Sequence, residues 1–129
     1  MKILGIGVDI VQNKRINLLI KKKKLFLKRT FTKNELKLSL KIKDKTNFFA
    51  KRFAAKESLA KSIGTGFRNN FNFKDIEILN DKLGKPYFFK CKKIDDIIKK
   101  KFRIKKYELF LSISDEKEYS AAFTILQTK

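Results

Sequence analysis

The stretch Arg52-Phe53-Ala54-Ala55-Lys56-Glu57-Ser58-Leu59-Ala60-Lys61-Ser62-Ile63-Gly64-Thr65-Gly66 reads as a helix that runs into a glycine-rich turn. Phe49, Phe53, Glu57, Ala60 and Gly64 recur at helical spacing, so they share a face. That spacing puts one carboxylate on an otherwise apolar stripe. A Glu on the buried face of a helix is costly unless a cation or hydrogen bonds compensate it. Lys56 and Lys61 flank it, and Lys61 stands one turn on, in the favourable Glu-before-Lys order. Glu57 is therefore half of a structural ion pair or a functional carboxylate. The helix is predicted over 47–63, with Gly64 as its stop.

A second carboxylate sits in an unusual place near the start. Lys2-Ile3-Leu4-Gly5-Ile6-Gly7-Val8-Asp9-Ile10 alternates as a strand, predicted over 2–9. Leu4, Ile6, Val8 and Ile10 point one way, and Ile3, Gly5, Gly7 and Asp9 the other. Asp is disfavoured in strands. The two glycines leave room for a ligand or another backbone to come close. The plainer reading is an Asp at a strand end that caps the next segment.

Around these two pieces the remaining elements fall into place. A very basic amphipathic helix is predicted over 13–29. Ile16, Leu19, Ile20 and Leu27 lie on one side of it, and Arg15, Lys22 and Arg29 line another. Lys21 to Lys24 widen the positive face. Thr32-Lys33-Asn34-Glu35 is a capping box, with Phe31 and Leu36 placed as a hydrophobic staple, so a helix is predicted over 33–41. Residues 41–47 and 67–72 read as loops. Strands are predicted over 74–79, 86–90, 106–114 and 119–126, and a short helix over 93–101. The expected fold is α+β, a single domain over 1–129, with a long central helix packed on a small antiparallel sheet of about four or five strands.

Composition narrows the chemistry. Lys plus Arg is 33 and Asp plus Glu is 13, for a net charge of +20. Such a field favours an acidic partner and speeds encounter with it. Only five of the 33 are Arg, whereas nucleic-acid readers rely on its planar fork. A small basic nucleic-acid-binding protein is the competing reading, and the 13 Phe weigh against it because they fall mostly at core spacing. Heavy Lys, Ile, Asn and Phe usage also fits an AT-rich genome. The chain has no histidine, which excludes Ser-His and Cys-His catalysis. Cys91 is the only cysteine, so no intrachain disulfide forms, as suits a reducing cytosol. No apolar run approaches membrane-spanning length, and the strand-like start does not read as a signal peptide. A cytoplasmic protein is expected.

The ordered pieces resemble the holo-acyl carrier protein synthases, the short type of 4′-phosphopantetheinyl transferase. They are Gly5-Ile6-Gly7-Val8-Asp9-Ile10-Val11, Arg15-Ile16, Arg29-Thr30-Phe31-Thr32 with Glu35, and Arg52-Phe53-Ala54-Ala55-Lys56-Glu57 with Lys61 and Gly64-Thr65-Gly66. Asp75-Ile76-Glu77-Ile78, Gly84-Lys85-Pro86, Ser112-Ile113-Ser114 and Glu118-Tyr119-Ser120-Ala121-Ala122 follow, in the family's order from end to end.

The resemblance implies transfer of 4′-phosphopantetheine from coenzyme A to a serine of apo-acyl carrier protein. It also implies a homotrimer with active sites between subunits. Asp9 and Glu57 match the family's magnesium ligands, and magnesium suits attack on a pyrophosphate because it takes hard oxygens and bridges phosphates. Lys61 matches a lysine that neutralises phosphate charge or assists the leaving group. The bland alternative is an i,i+4 bridge to Glu57, worth about 0.3–0.5 kcal/mol on an exposed helix. The serine proton is left to a metal-bound water or to Glu57. Arg52, Lys85 and Pro86 resemble positions close to the coenzyme A nucleotide. Gly64, in the glycine turn, either offers backbone N–H groups to a phosphate or is simply a helix stop. The 13–29 helix, with Arg15, Lys22 and Arg29, matches the surface on which the acidic carrier protein docks. One position departs from the family: Asp115 stands where it usually has histidine, near the substrate phosphates. Three readings are open there: a third oxygen ligand, a surface position with the role lost, or reduced activity.

Overall fold

The computed structural model describes residues 1–68 and 70–129 and opens with strand β1, Ile3–Gln12. Helices α1 (Asn13–Lys22), α2 (Phe26–Thr30), α3 (Lys33–Ser39) and α4 (Lys45–Ile63) follow. After a 3₁₀ turn at Phe73–Asp75 come β2 (Ile78–Asn80), β3 (Pro86–Phe88), α5 (Lys92–Phe102), β4 (Tyr107–Asp115) and β5 (Tyr119–Thr128). Of the loop expected over 67–72, Asn69 lies outside the described residues.

The strands form two sheets rather than one. An antiparallel sheet runs β1-β5-β4, and β2-β3 is a separate hairpin. The strand expected over 74–79 begins only at Ile78, because an Asn72–Asp75 capping box folds the preceding residues into the 3₁₀ turn. Ile76 and Ile78 are still buried, as their alternation requires.

The basic helix expected over 13–29 is broken. Lys23 leaves α1 in an extended conformation, and α2 restarts at Phe26. Two forces favour the break. Lys24 and Lys28 would repel one another one turn apart in a continuous helix. The turn also lets Phe26 pack on Phe31 and Phe53, with ring centroids 6.0 and 6.1 Å away. At the start of α3 the Thr32–Glu35 capping box forms as its spacing demands, with bonds of 3.0 and 3.1 Å.

Helix α4 is the centre of the molecule. Asp44 caps it by accepting from the Asn47 N–H at 3.1 Å, and Gly64 ends it in the left-handed region at φ 86°. Its Ala54, Ala55, Leu59 and Ile63 share the core with Val11, Leu111, Ala122 and Leu126 of the three-stranded sheet. The helix meets β1 through bare backbone. A Cβ on Gly5 would collide with the Ser62 carbonyl oxygen, and one on Gly7 with that of Ser58. The room these glycines leave is thus taken by another backbone. Gly7→Ala is expected to cost about 2 kcal/mol or more, because the obstacle is main chain and cannot rotate aside. Urea unfolding measures this, and a midpoint equal to the parent's would show that the helix is free to move off.

That close approach settles which face of β1 turns inward. Gly5, Gly7, Asp9 and Val11 face α4, while Ile6, Val8 and Ile10 are 59%, 59% and 65% exposed. Register continues the outer apolar face across the sheet: Val8 pairs with Phe123, and Ile125 lies between Ile6 and Phe110.

Candidate active site

Asp9 reaches the side of α4 because the two glycines before it let strand and helix touch. Its neighbour there is Lys61, whose Nζ donates to Asp9 Oδ1 at 3.1 Å and to the Val8 carbonyl at 3.0 Å. The i,i+4 bridge from Lys61 to Glu57 is not among the ion pairs of the described residues. The lysine crosses to the strand instead. Glu57 is half-buried rather than at the centre of the buried stripe. Burial, and then the negative charge of Asp9, push its carboxyl above the usual range, while Lys61 and Arg15 pull the other way. Two carboxylates therefore press on one another beside a lysine and an arginine, an arrangement that a small hard cation relieves. No three acidic, histidine or cysteine side chains gather as a ligand cluster among the described residues.

A second group of expected residues meets elsewhere on α4. Arg52, Asn80, Pro86, Lys51 and Asp115 line a cleft of about 230 Å³. Arg52 is only 5% exposed. Its Nη2 donates to Asn80 Oδ1 at 2.9 Å, and its guanidinium lies 3.7 Å from the centre of the Phe48 ring. Its Nε is buried with no acceptor among the described residues. Burial lowers the Arg52 pKa, and the charge of Glu35 opposes that. Lys85 is exposed and does not line the cleft; its backbone N–H donates to Asp81 Oδ1 at 2.9 Å. Gly64 stands twelve residues past Arg52, about 18 Å along the helix, and its N–H donates to the Ala60 carbonyl at 3.0 Å.

Asp115 is part of this second group. Its Oδ2 accepts from Asn47 Nδ2 at 2.7 Å. Asn47 precedes Glu57 by ten residues, about 15 Å of helix. Asp115 therefore does not join Asp9 and Glu57, and the reading of it as a third oxygen ligand beside them is not supported within this chain.

Arg15, Lys22 and Arg29 are all exposed. Lys22 and Arg29 line one concavity with Lys23, Lys24 and Phe26, so the break between α1 and α2 does not separate them. Arg15, at the start of α1, carries the basic face to Glu57.

Sequence reasoning missed the most buried ion pair. Lys56 and Glu35 are both 0% exposed, with Nζ donating to Oε1 at 2.6 Å. Burial lowers the Lys56 pKa, and Glu35 opposes that. The signal was present: Phe49, Arg52, Lys56, Leu59 and Ile63 also fall at helical spacing, and that stripe is the buried one.

A family model described as the 4′-phosphopantetheinyl transferase superfamily matches residues 5–124. The holo-[acyl-carrier-protein] synthase of Pelagibacter ubique is 58% identical over 129 residues, covering 100% of both chains. The crystal structure of the Neisseria meningitidis holo-[acyl-carrier-protein] synthase superposes with a TM-score of 0.86 at 39% identity, over 98% of this chain and 99% of that one. The Bacillus anthracis synthase, solved in complex with CoA (3′,5′-ADP), gives a TM-score of 0.82 at 34% identity over 100% of each.

Proposed function

The chain belongs to the 4′-phosphopantetheinyl transferase superfamily, and from that premise we propose which of its residues carry the reaction. It transfers 4′-phosphopantetheine from coenzyme A to a serine of apo-acyl carrier protein and releases adenosine 3′,5′-bisphosphate. The observation that carries the site assignment is the meeting of Asp9 on β1 with the Glu57 end of α4 through Lys61, where burial, and then the charge of Asp9, raise the Glu57 carboxyl. Magnesium would fit this donor set, since it needs only one or two protein carboxylates when substrate phosphates are present. When bound, it neutralises charge that builds on the pyrophosphate oxygens.

The protein's own groups supply the remainder. Asp9 and Glu57 would hold the ion. Lys61, already beside Asp9, is placed to offset phosphate charge as the bond to the leaving group breaks. The orphaned Nε of Arg52 is a buried donor that a nucleotide phosphate would satisfy, with Pro86 at the rim of the same cleft and Lys85 next in the chain. Gly64 turns the chain away at the end of α4, where Lys101 Nζ donates to the Ile63 carbonyl. Arg15, Lys22 and Arg29 form the docking face for the acidic carrier protein, with Arg15 pointing the way to Glu57. No observation favours the nucleic-acid reading: of the 13 Phe, only Phe89, Phe110 and Phe123 are exposed large apolar groups, and two of these lie on the outer sheet face. Among the described residues no helix is long and apolar enough to cross a membrane.

The direct test is to incubate the protein with apo-carrier protein, coenzyme A and magnesium and to weigh the carrier. A phosphopantetheine mass gain that disappears when magnesium is chelated is the expected result. No gain, or a gain indifferent to chelation, would overturn the assignment.

A homotrimer completes this reading. The Asp9–Glu57 centre and the Arg52 cleft sit apart on one protomer, and a neighbour can bring the second against the first. The uncovered face of Ile6, Val8, Ile10, Phe110 and Phe123 is the kind of apolar patch that a second copy buries. Val8→Lys is expected to yield monomers in sedimentation and to lose transfer while keeping the monomer fold by circular dichroism. A trimer that survives Val8→Lys would move the interface elsewhere.

A further inference from the structure

Lys61 does not make the bridge that its spacing offers. Glu57 stands one turn before it on α4, yet Lys61 Nζ leaves the helix and donates to two oxygens of β1, Asp9 Oδ1 at 3.1 Å and the Val8 carbonyl at 3.0 Å. The Asp9 side chain is 15% exposed and that of Lys61 52%. The carboxylate is thus sunk between strand and helix, and the ammonium reaches it from the solvent side. Glu57 has no such bond: Asp9, Lys61 and Arg15 act on it through charge alone. One ammonium serves two carboxylates and touches only one of them.

Both atoms that hold Nζ are hard oxygens, the ligand type that a small divalent cation takes. An ammonium on them stands where such a cation is needed, and two cations at this range repel. The ammonium is also easily given up. A half-exposed Lys–Asp bridge contributes little, because water competes for both charges and the long side chain regains freedom on release. Lys56, on the same helix, is the contrast: it is fully buried with Glu35, and three acceptors take its three protons. Helix α4 therefore carries one lysine fixed in place and one poised to leave.

We propose that Lys61 is a placeholder cation: it occupies Asp9 in the metal-free protein, is displaced when a divalent ion binds there, and then pairs with a phosphate of the bound substrate. This rests on the reading of Asp9 and Glu57 as the magnesium pair and adds a competitor built into the chain. The competitor weakens magnesium binding in the absence of substrate. Substrate phosphate restores it by giving the displaced ammonium a new partner, so metal and substrate strengthen one another's binding.

Titration of the metal-free protein with magnesium, followed by calorimetry and by melting temperature, tests this without the transfer reaction. Lys61→Met and Lys61→Gln are each expected to bind magnesium about tenfold more tightly than the parent. Their melting temperatures then rise more than the parent's at the same magnesium concentration. Arg15→Gln removes a charge that acts on Glu57 without a bond to Asp9, and is expected to tighten magnesium by less than about threefold. Coenzyme A is expected to tighten magnesium by a larger factor in the parent than in Lys61→Met. Magnesium affinity in both Lys61 variants equal to or weaker than the parent's would overturn the placeholder role. Equal tightening by Arg15→Gln would also overturn it, since a diffuse field would then explain the gain. Equal coupling to coenzyme A with and without Lys61 would overturn the transfer of the ammonium to phosphate. The metal reading itself is checked separately with Asp9→Asn. If magnesium binds the parent and not Asp9→Asn, that reading stands whatever Lys61 does; if magnesium binds neither the parent nor the Lys61 variants, both fall together.

Discussion

Glu57→Gln and Asp9→Asn are each expected to lower phosphopantetheine transfer by about 10²–10³-fold, the usual loss when one preorganised electrostatic group is removed from a charged transition state. Both substitutions keep shape and remove charge, so the fold survives and the loss is chemical. Their stability signature separates them from mere damage. The Glu57 carboxyl has a raised pKa in the folded state. The metal-free fold therefore loses stability as the pH climbs from the ordinary carboxylate range through that raised value, because the unfolded chain gives up its proton first. Glu57→Gln removes this loss and is expected to melt no lower than the parent at neutral pH. At a pH where Glu57 is protonated in both states, the two converge. Magnesium acts in the opposite sense. It is expected to raise the melting temperature of the parent at pH 8, to do so less as the pH falls toward the raised Glu57 value, and to do nothing for either variant. A full transfer rate in Glu57→Gln, or the same magnesium shift in parent and variants, would sink the assignment.

The sequence made the long helix legible through its helical spacing and its glycine stop, but not its start: Asp44, read as loop, caps it, and α4 begins at Lys45. It made β1 legible by strict alternation, but not its orientation. Alternation says which residues share a face and is silent on which face is covered. The apolar side, Ile6, Val8 and Ile10, is the uncovered one. The glycine side is inside because α4 needs main-chain contact there, a tertiary demand that no local pattern carries. The break between Lys22 and Phe26 was hidden for a similar reason: helical spacing of Ile16, Leu19, Ile20 and Leu27 persists across it, and the packing of Phe26 on Phe31 and Phe53 that adds to the Lys24–Lys28 repulsion is a tertiary contact.

In the site, Asp9 and Glu57 stood out as charged residues among apolar ones, which is a local anomaly. The partner of Lys61 did not, since Asp9 is 52 residues away and the i,i+4 neighbour offered an easier reading. Arg52 with Asn80, and Asp115 with Asn47, are likewise pairs made by topology. Lys56 was masked by its successor. Two adjacent charged residues on a helix lie on different faces, and the sequence reading put the wrong one at the centre of the core.

That misreading has a measurable consequence. Lys56→Met and Glu35→Leu are each expected to cost about 3–5 kcal/mol, against about 5–15 kcal/mol for the stability of a whole domain. Lys56 Nζ uses all three of its protons, on Glu35 Oε1 at 2.6 Å, the Thr30 carbonyl at 2.8 Å and the Phe73 carbonyl at 3.1 Å. Glu35 Oε1 also accepts from the Thr32 N–H, and its Oε2 from the Ile78 N–H at 3.0 Å. The pair thus ties the end of α2, the start of α3, the 3₁₀ turn and β2 to the residue before Glu57. Removing one partner leaves the other as an uncompensated charge in the core, and that desolvation dominates the cost. Removing both leaves only orphaned backbone groups, so the double variant is expected to be more stable than the sum of the singles implies. Urea unfolding of the four proteins closes the cycle. If the double variant lost as much as both singles together, the charges would be independent of one another, and the hub would owe its strength to the backbone bonds alone. If the singles lost under about 1 kcal/mol each, water would be reaching the pair, and Lys56 could not be the anchor that fixes the rotation of α4 at Glu57.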